Sequence, residues 1–256
     1  VGQTLTDADG KFHIVVNGGG TLTVTYSRNG YFSIQRKIAT TVLDYFTVQN
    51  VVMLRPDAKV TQVTMGSSQI QTVVGSTVSD SSGSRTSVLV LPAGTTASLQ
   101  MPDGSTKQVS TLSLRTTEYT VGDQGRLRMP ADLPATTSYT YAQDISSDEA
   151  IAAGATHVLF SQPIPNYVDN FLNFPAGSAV PYGSYDYQLG AWKAEKDGVV
   201  LKVLDVQNGQ AVIDMDGSGS PASAAKLAQI NMTGDELSKI ASLYSVGKSF
   251  WRVQVS

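Results

Sequence analysis

The segment from Asp214 to Ser220 has residue types and spacing that come nearest to a known binding chemistry. Its sequence, Asp-Met-Asp-Gly-Ser-Gly-Ser, places carboxylates at Asp214 and Asp216 and hydroxyls at Ser218 and Ser220. Hard cations such as Ca²⁺ prefer oxygen ligands at this spacing, and the intervening glycines allow a sharp bend. The twelfth position, however, is Ala225, where a calcium loop has a bidentate glutamate. The pattern therefore indicates either a weak calcium site or a polar turn, and it suggests no cofactor other than calcium.

Acidic residues among aromatic residues in the second half of the chain are a second candidate. Carboxylates paired across a cleft cleave glycosidic bonds, and aromatic rings beside them bind sugars. The sequence does not show that any two of these acids meet, so a hydrolase or a carbohydrate-binding site is an alternative. The acids are Asp144, Asp148, Glu149, Asp169 and Asp186.

Several other catalytic and metal chemistries lack the residues they need. The chain has no cysteine and only two histidines, His13 and His157, which excludes thiol nucleophiles, thiolate metal sites and histidine-rich metal sites. There is no Gly-x-Ser-x-Gly nucleophile motif, and the glycine-rich stretch 17–20 has no P-loop lysine. We therefore predict that the protein is not an enzyme.

The composition limits the partner classes. The chain has 256 residues, a formal net charge of −3 and only 15% charged residues, so it has no net basic field to bind nucleic acid. No apolar run is long enough to span a bilayer. A weakly charged chain that lacks cysteine and is rich in threonine and serine is typical of secreted or bacterial cell-surface β proteins, which is the location we predict.

The elements that must position these residues are mostly strands. Of the 25 threonines, 23 precede position 141, and β-branched residues favour a pleated surface. Residues 21–26 alternate strictly between polar and apolar, residues 12–16 form an apolar run before them, and Asn-Gly-Gly-Gly at 17–20 predicts a hairpin between the two. Further strands are predicted at 87–91, 97–101, 157–161 and 199–204, so the predicted fold is all-β.

One longer helix is predicted near the C-terminal end. Thr233 and Glu236 have capping-box spacing, Leu237 and Ile240 share one face, and Gly247 follows, which predicts a helix over 234–246. Changes in composition divide the chain into predicted domains at 1–57, 58–140 and 141–256. We expect two or three β-sandwich-like units.

The first stretch resembles a known module. Asp-Ala-Asp-Gly-Lys-Phe at 7–12, Asn-Gly-Gly-Gly at 17–20 and Gly-Tyr at 30–31 are similar to the carboxypeptidase-regulatory, transthyretin-like β-sandwich module. The usual first strand of that module would lie before Val1, so the resemblance implies a truncated copy over 1–57.

Further stretches resemble the N-terminal plug region of bacterial RHS-repeat proteins and teneurins. They occur in family order and include Pro-Ala-Gly-Thr-Thr-Ala at 92–97, Met-Pro-Ala-Asp-Leu-Pro at 129–134 and Gly-Ala-Trp at 190–192, with others at 117–122, 161–165, 170–177, 180–181 and 185–186. The resemblance implies a transthyretin-like module followed by a fibronectin-like plug, which seals a β-strand cocoon that in many bacterial members holds a toxin.

The resemblance also implies a partner, namely the cocoon formed by the rest of the same polypeptide. Large rings anchor interfaces well, so the aromatic residues of the second half are candidates for insertion into that partner. The alternative for the same rings is an internal core, and a cell-surface protein or a glycan is the alternative partner. The candidates are Tyr167, Phe171, Phe174, Tyr182, Tyr185, Tyr187 and Trp192.

Overall fold

A computed structural model describes residues 2–134 and 139–255, which fold mainly into antiparallel strands. The predicted all-β class is confirmed. The N-terminal part holds a two-stranded sheet of β1 (Gly20–Tyr26) and β2 (Ile34–Thr40), in which Gly20 pairs with Thr40 and Tyr26 with Ile34. Residues 12–16 are not assigned to a strand, although Phe12 packs edge-on against Tyr26 at 5.8 Å between ring centres.

A seven-stranded sheet forms the body of the protein. Its path runs β14-β17-β19-β13-β7-β4, and β18 pairs with β17 beside that path. The strands are β4 (Gln71–Val74), β7 (Ser87–Leu91), β13 (Ile164–Asp169), β14 (Ala179–Val180), β17 (Gly198–Gln207), β18 (Gln210–Asp214) and β19 (Ser249–Val255).

Four smaller sheets accompany this body. Two have three strands, in the orders β11-β10-β3 and β12-β8-β9, and the pairs β5-β6 and β15-β16 are hairpins. The strands are β3 (Thr61–Thr64), β5 (Val78–Asp80), β6 (Gly83–Arg85), β8 (Ala97–Gln100), β9 (Thr106–Val109), β10 (Thr111–Glu118), β11 (Gln143–Ser147), β12 (His157–Phe160), β15 (Gly183–Asp186) and β16 (Ala191–Ala194).

The helices are short. They are α1 (Gly125–Arg128), α2 (Asp148–Ala153), α3 (Ala224–Gln229) and α4 (Gly234–Leu243). The predicted cap of α4 is present, because Thr233 Oγ1 accepts a hydrogen bond from the Glu236 backbone N–H at 3.2 Å. The helix ends at Leu243 rather than at the predicted 246, since Tyr244 returns to extended backbone. Helix α3 was not predicted, and Ser223 caps it. None of the helices in the described ranges is long and apolar enough to cross a membrane.

The core lies on both sides of the seven-stranded sheet. Strand β7 is buried at every position, and alternate residues join different clusters: Val88 and Val90 pack with α4, whereas Leu89 and Leu91 pack with the two three-stranded sheets. A strand that is covered on both faces is mostly apolar, and this explains the continuous apolar run at 88–91 that follows Ser87.

The predicted boundary at 140 does not separate two sheets. Strand β7 pairs with β13, β10 pairs with β11, and β8 pairs with β12, so strands from 58–140 and from 141–256 form common sheets. These two predicted units therefore share one body. The interruption in composition near position 130 marks a crossing segment, because proline there prevents central strand pairing.

Candidate functional site: the aromatic hairpin and the N-terminal module

The β15–β16 hairpin carries three of the predicted interaction residues on a compact turn. Tyr185 pairs with Trp192 across the hairpin, with 5.2 Å between the ring centres, and Tyr187 packs edge-on against Tyr185 at 5.0 Å. Asp186 holds the turn, since its Oδ1 accepts the backbone N–H groups of Gln188 and Leu189, both at 2.9 Å. The Lys193 ammonium, together with these N–H groups, lowers the pKa of Asp186 to about 2.

This hairpin binds strand β2 of the N-terminal sheet. Tyr185 Oη donates to Gln35 Oε1 at 2.7 Å, and Gln35 Nε2 donates to the Tyr187 carbonyl at 3.3 Å. Tyr187 Oη donates to the Ser33 carbonyl at 2.9 Å. The three hydrogen bonds join positions about 150 residues apart in sequence, so the hairpin holds the N-terminal part against the body.

A connecting segment lies between the two parts and bonds to both. Backbone N–H groups of Gln35 and Val52 donate to carbonyls of Pro130 and Leu127, at 2.7 and 3.1 Å. From the other side, Trp192 Nε1 donates to the Asp132 carbonyl at 3.0 Å. Residues 127–132 therefore act as a third layer of the interface.

Arg36 is the charged residue buried at this junction. Its guanidinium donates to the carbonyls of Gln35, Met129 and Leu127 at 2.8, 3.1 and 3.3 Å. Its Nε lies 3.7 Å from Asp132 Oδ1, whose side chain is about half exposed. Burial lowers the pKa of Arg36, and the nearby Asp132 opposes that shift. A guanidinium that binds several carbonyls fixes the angle at which β2 meets the connecting segment.

A carboxyl group lies beneath the same junction. Tyr119 is buried, packs against Phe32 with 5.9 Å between ring centres, and donates to Asp144 Oδ2 at 3.3 Å. Burial raises the pKa of Asp144 to about 6. The hydroxyls of Tyr119 and Tyr187 are close enough to affect each other's pKa. Asp144 thus belongs to a polar cluster that reaches the hairpin.

Comparison with known proteins gives one result, for the part that the hairpin holds. Residues 1–53 match the family model of the teneurin TTR-like domain. This match supports a transthyretin-like module in that stretch, which we call the N-terminal module from here on. No curated protein and no solved structure matches the chain.

The remaining predicted interaction residues lie elsewhere. Tyr167 is fully buried in the body, where its hydroxyl binds Glu236 and accepts a hydrogen bond from Arg252 Nε at 3.3 Å. Phe171 and Phe174 pack against Trp251 at 5.2 and 5.8 Å. Tyr167 is thus a core residue in this structure, and its insertion into a partner would require opening of the core.

Tyr182 and the hairpin rings also have internal contacts. Tyr182 is partly buried, and its carbonyl accepts the Glu195 backbone N–H at 2.9 Å. Tyr185 and Trp192 are partly buried at the junction, while Tyr187 is 37% exposed and Phe174 is 41% exposed. The structure therefore divides six of the seven predicted residues among the core, the Trp251 cluster and the junction with the N-terminal module, and it places Tyr182 beside Glu195.

The Asp214–Ser220 loop uses its carboxylates for internal bonds. Asp214 is buried, and its two oxygens accept three backbone N–H groups, from Asp216, Gly217 and Gly219, at 2.8–3.1 Å. Asp216 is paired with Lys226. Within residues 2–134 and 139–255, no group of three or more His, Cys, Asp or Glu side chains is placed to hold a metal. The geometry favours the polar turn, and calcium binding stays a prediction.

This loop has a packing role. A Cβ at Gly217 would lie 2.7 Å from the Ala176 carbonyl, and a Cβ at Gly177 would lie 2.6 Å from Asp216 Cα. Both glycines have positive φ, at +74° and +84°, which side chains rarely adopt. The glycines therefore allow the 214–220 loop to contact the 173–177 turn closely.

Sequence reasoning missed Ser33, Gln35 and Arg36 as junction residues. One signal was present for Arg36: in a strand with period two it lies on the same face as Ile34, which is fully buried. A cation at an inward position needs buried acceptors, so Arg36 could have been predicted to bind carbonyls or a carboxylate. Gln35 and Ser33 carry no comparable signal, because polar residues of a half-exposed strand are common.

Proposed function

We propose that this chain is a non-enzymatic scaffold module of a secreted or cell-surface RHS/teneurin-like protein, and that it supports or seals the β-cocoon of that protein. The match of residues 1–53 to a teneurin TTR-like domain supports the family context. The junction supports the scaffold role, since the hairpin, the connecting segment and β2 hold the N-terminal module in a defined position on the body.

The observation that carries the proposed partner is an exposed apolar surface at one end of the N-terminal module. Leu43 and Tyr45 are 100% exposed, Val42 is 67% exposed, and Val15 is 97% exposed. Leu43 has a φ of +58°, an uncommon conformation for a branched side chain. We call this surface the apolar tip; it consists of Val15, Val16, Val42, Leu43, Tyr45 and Phe46.

The glycine turn sets the shape of the tip. A Cβ at Gly18 would lie 2.0 Å from the Thr41 carbonyl, and one at Gly19 would lie 3.1 Å from Val42. The turn at 17–20, which directly follows Val15 and Val16 in the chain, is therefore in close contact with the loop at 41–46. The exposed apolar side chains on the two sides of this contact form the tip. Contiguous exposed apolar surface of this kind marks interaction sites in soluble proteins. Its proposed occupant is the shell formed by the rest of the same polypeptide.

A photo-crosslinking experiment tests this partner in the complete natural polypeptide. A photoreactive phenylalanine analogue replaces Tyr45, and in a matched control it replaces Ile151, an exposed apolar residue of α2 on the body. We expect the label at Tyr45 to crosslink to a peptide outside these 256 residues and the label at Ile151 not to do so. Crosslinks from Tyr45 confined to this chain, or equal shell crosslinks from both positions, contradict the proposal.

A further inference from the structure

A polar cleft opens on the body at the end of strands β13 and β19, away from the apolar tip. Its volume is about 310 Å³, near the lower end of the range for small-molecule sites. It is lined by the end of β13, the turn that follows, the start of β19 and one residue of β6. The lining residues are Ser84, Asp169, Asn170, Phe171, Asn173, Gly247, Lys248 and Ser249.

A buried amide holds the cleft in shape. Asn170 Nδ2 donates to the Phe174 carbonyl at 2.7 Å and to Ser249 Oγ at 3.0 Å. Its Oδ1 accepts the Phe174 backbone N–H at 3.0 Å and Trp251 Nε1 at 2.8 Å. Four hydrogen bonds from one side chain join the turn to β19. The lining groups are thus positioned before any ligand arrives, which reduces the entropic cost of binding.

Three different polar groups at the cleft, the exposed side chains of Asn173 and Lys248 and one oxygen of Asp169, keep hydrogen-bonding capacity that the chain does not use. Asp169 Oδ2 accepts the Thr86 backbone N–H at 2.9 Å, but Oδ1 accepts no hydrogen bond from residues 2–134 or 139–255. Within the same ranges the Asn173 side-chain amide makes no hydrogen bond, and Lys248 forms no ion pair with any carboxylate. Lys248 nevertheless acts on Asp169, whose pKa it lowers against the larger raising effect of burial.

These groups define the class of ligand. One carboxylate and one ammonium leave the cleft with no net charge, so it does not favour a simple anion or a simple cation. A carboxylate oxygen accepts from hydroxyls, an ammonium donates to them, and an amide does both. The Phe171 ring already contacts the Arg85 guanidinium at 4.5 Å and Trp251 at 5.2 Å, so recognition rests on the polar groups.

We propose that this cleft binds a neutral, hydroxyl-rich ligand, such as one monosaccharide unit of a glycan. Asp169 Oδ1 accepts from a hydroxyl, Lys248 Nζ donates to a ring or hydroxyl oxygen, and Asn173 contacts a neighbouring hydroxyl. The site is independent of the apolar tip and of the junction. Since it is open and has few polar contacts, the expected dissociation constant for a single sugar is about 1 mM.

An NMR titration of the full 256-residue chain tests the proposal. The probes are glucose, galactose, mannose and N-acetylglucosamine, followed through backbone amide shifts. Asn173→Gly removes the amide without backbone strain, because Asn173 has a φ of +55° and glycine tolerates that conformation. Asn208→Gly is the matched control, since Asn208 has a φ of +50° in the distant β17–β18 turn. Lys248→Ala is paired with Lys107→Ala on β9.

The proposal requires that at least one sugar shifts amides of residues 169–173 and 247–249, and that both cleft variants weaken binding about tenfold or more. The two control variants should bind as the wild type does. Absence of shifts with all four sugars overturns the proposal. So do shifts that the cleft variants leave unchanged, or shifts that appear only with a zwitterionic amino acid such as glycine.

Discussion

The N-terminal module and the body differ in how they are stabilised. Between residues 2 and 56 only Ile34 and Arg36 are buried. In the body, by contrast, the single strand β7 already has five buried residues. The sheet of the module has two strands, and a two-stranded sheet is marginal by itself in water. The body has a seven-stranded sheet covered on both faces.

This difference indicates that the module is held mainly by contacts outside itself. Regions with few buried apolar contacts open locally at low free energy, whereas the core of a large sheet opens only with global unfolding. Substitutions in the body should therefore change global stability. Those at the junction should change local opening of the module, and those at the apolar tip should change neither.

The largest contrast is expected between two phenylalanines. Phe250 is fully buried between Tyr167 and Tyr244, and Phe46 is 43% exposed at the apolar tip. Phe250→Ala should lower the free energy of unfolding by about 3–5 kcal/mol, because it leaves a cavity in the core. Phe46→Ala should change it by less than about 0.5 kcal/mol. Urea denaturation followed by circular dichroism measures both, and equal losses would show that the tip belongs to the core.

The next contrast compares two of the three arginines that are buried within residues 2–134 and 139–255, Arg252 and Arg36. In the body, Arg252 donates to Glu236 Oε1 at 2.7 Å and to Oε2 at 3.1 Å, and both side chains are buried. Glu236→Ala leaves a buried guanidinium without a counter-charge, which typically costs about 3–5 kcal/mol. In the module, Arg36 faces Asp132 at 3.7 Å, but Asp132 is 46% exposed. Asp132→Ala should cost no more than about 1 kcal/mol.

The measurement for this pair is again the free energy of unfolding in urea, with Glu236→Gln as a second variant. Glutamine keeps the shape and can still accept from Arg252, so it should recover part of the lost stability. If Asp132→Ala proved as damaging as Glu236→Ala, the body and the module would have to be stabilised by similar buried ion pairs, and the comparison would fail.

Local patterns in the sequence predicted local structure well. The α4 cap and the strand at 87–91 both depend on neighbouring residues, and both are present. Whether an aromatic residue lies in the core or at an interface depends instead on which strands pair. Tyr167 is core because β13 lies between β19 and β7. No local signal encodes that order.

The junction could be predicted even less from the sequence. It joins Gln35 to Tyr185 and Tyr187, which are about 150 residues away, through bonds that any polar side chain could make. Sequence reasoning made the aromatic residues of the hairpin candidates for contact with the rest of the polypeptide, with an internal core as the alternative, and no signal pointed to strand β2. In the structure the hairpin contacts strand β2 through Gln35. Which segment contacts the hairpin depends on three-dimensional proximity, and the amino-acid composition does not indicate that proximity.

A junction variant should separate the module from the body without unfolding the body. Gln35→Ala removes one bond to Tyr185 and one to the Tyr187 carbonyl, which together should cost about 2 kcal/mol of local stability. Hydrogen exchange should accelerate at the amides of residues 35 and 52, which donate to the connecting segment. Amides of β7 and β13 should keep their protection.

Gln188→Ala is the control for this experiment, because Gln188 is an exposed residue at the tip of the same hairpin. Its exchange pattern should match that of the wild type. If Gln35→Ala accelerated exchange in β7 as strongly as in β2, the module and the body would unfold as a single unit, and the module would not depend on a separate junction.

The smallest effect expected is a pH dependence at Asp144. Burial raises the pKa of this carboxyl in the folded protein to about 6, from an ordinary value of 3.8. A raised pKa means that the folded state holds the proton more tightly than the unfolded state. This group therefore favours folding fully below about pH 4, and the advantage is lost as the pH rises through 6. The shift allows at most about 3 kcal/mol, and solvent access to the partly exposed side chain reduces this to on the order of 1 kcal/mol.

The difference between wild type and Asp144→Asn isolates this contribution. Asparagine resembles the protonated carboxyl, so the variant should lose the part of the pH dependence between pH 4 and 7 that belongs to Asp144. Asp80 and Asp148, whose pKa values are lowered by Arg85 and Arg115, affect stability with the opposite sign, and only in more acidic solution. Because Asp144 lies beneath the hairpin, we expect its deprotonation also to speed exchange at residues 35 and 52. If the free energy of unfolding of wild type and Asp144→Asn changed with pH in parallel, Asp144 would not be the titrating group, and the proposed pH dependence of the junction would be wrong.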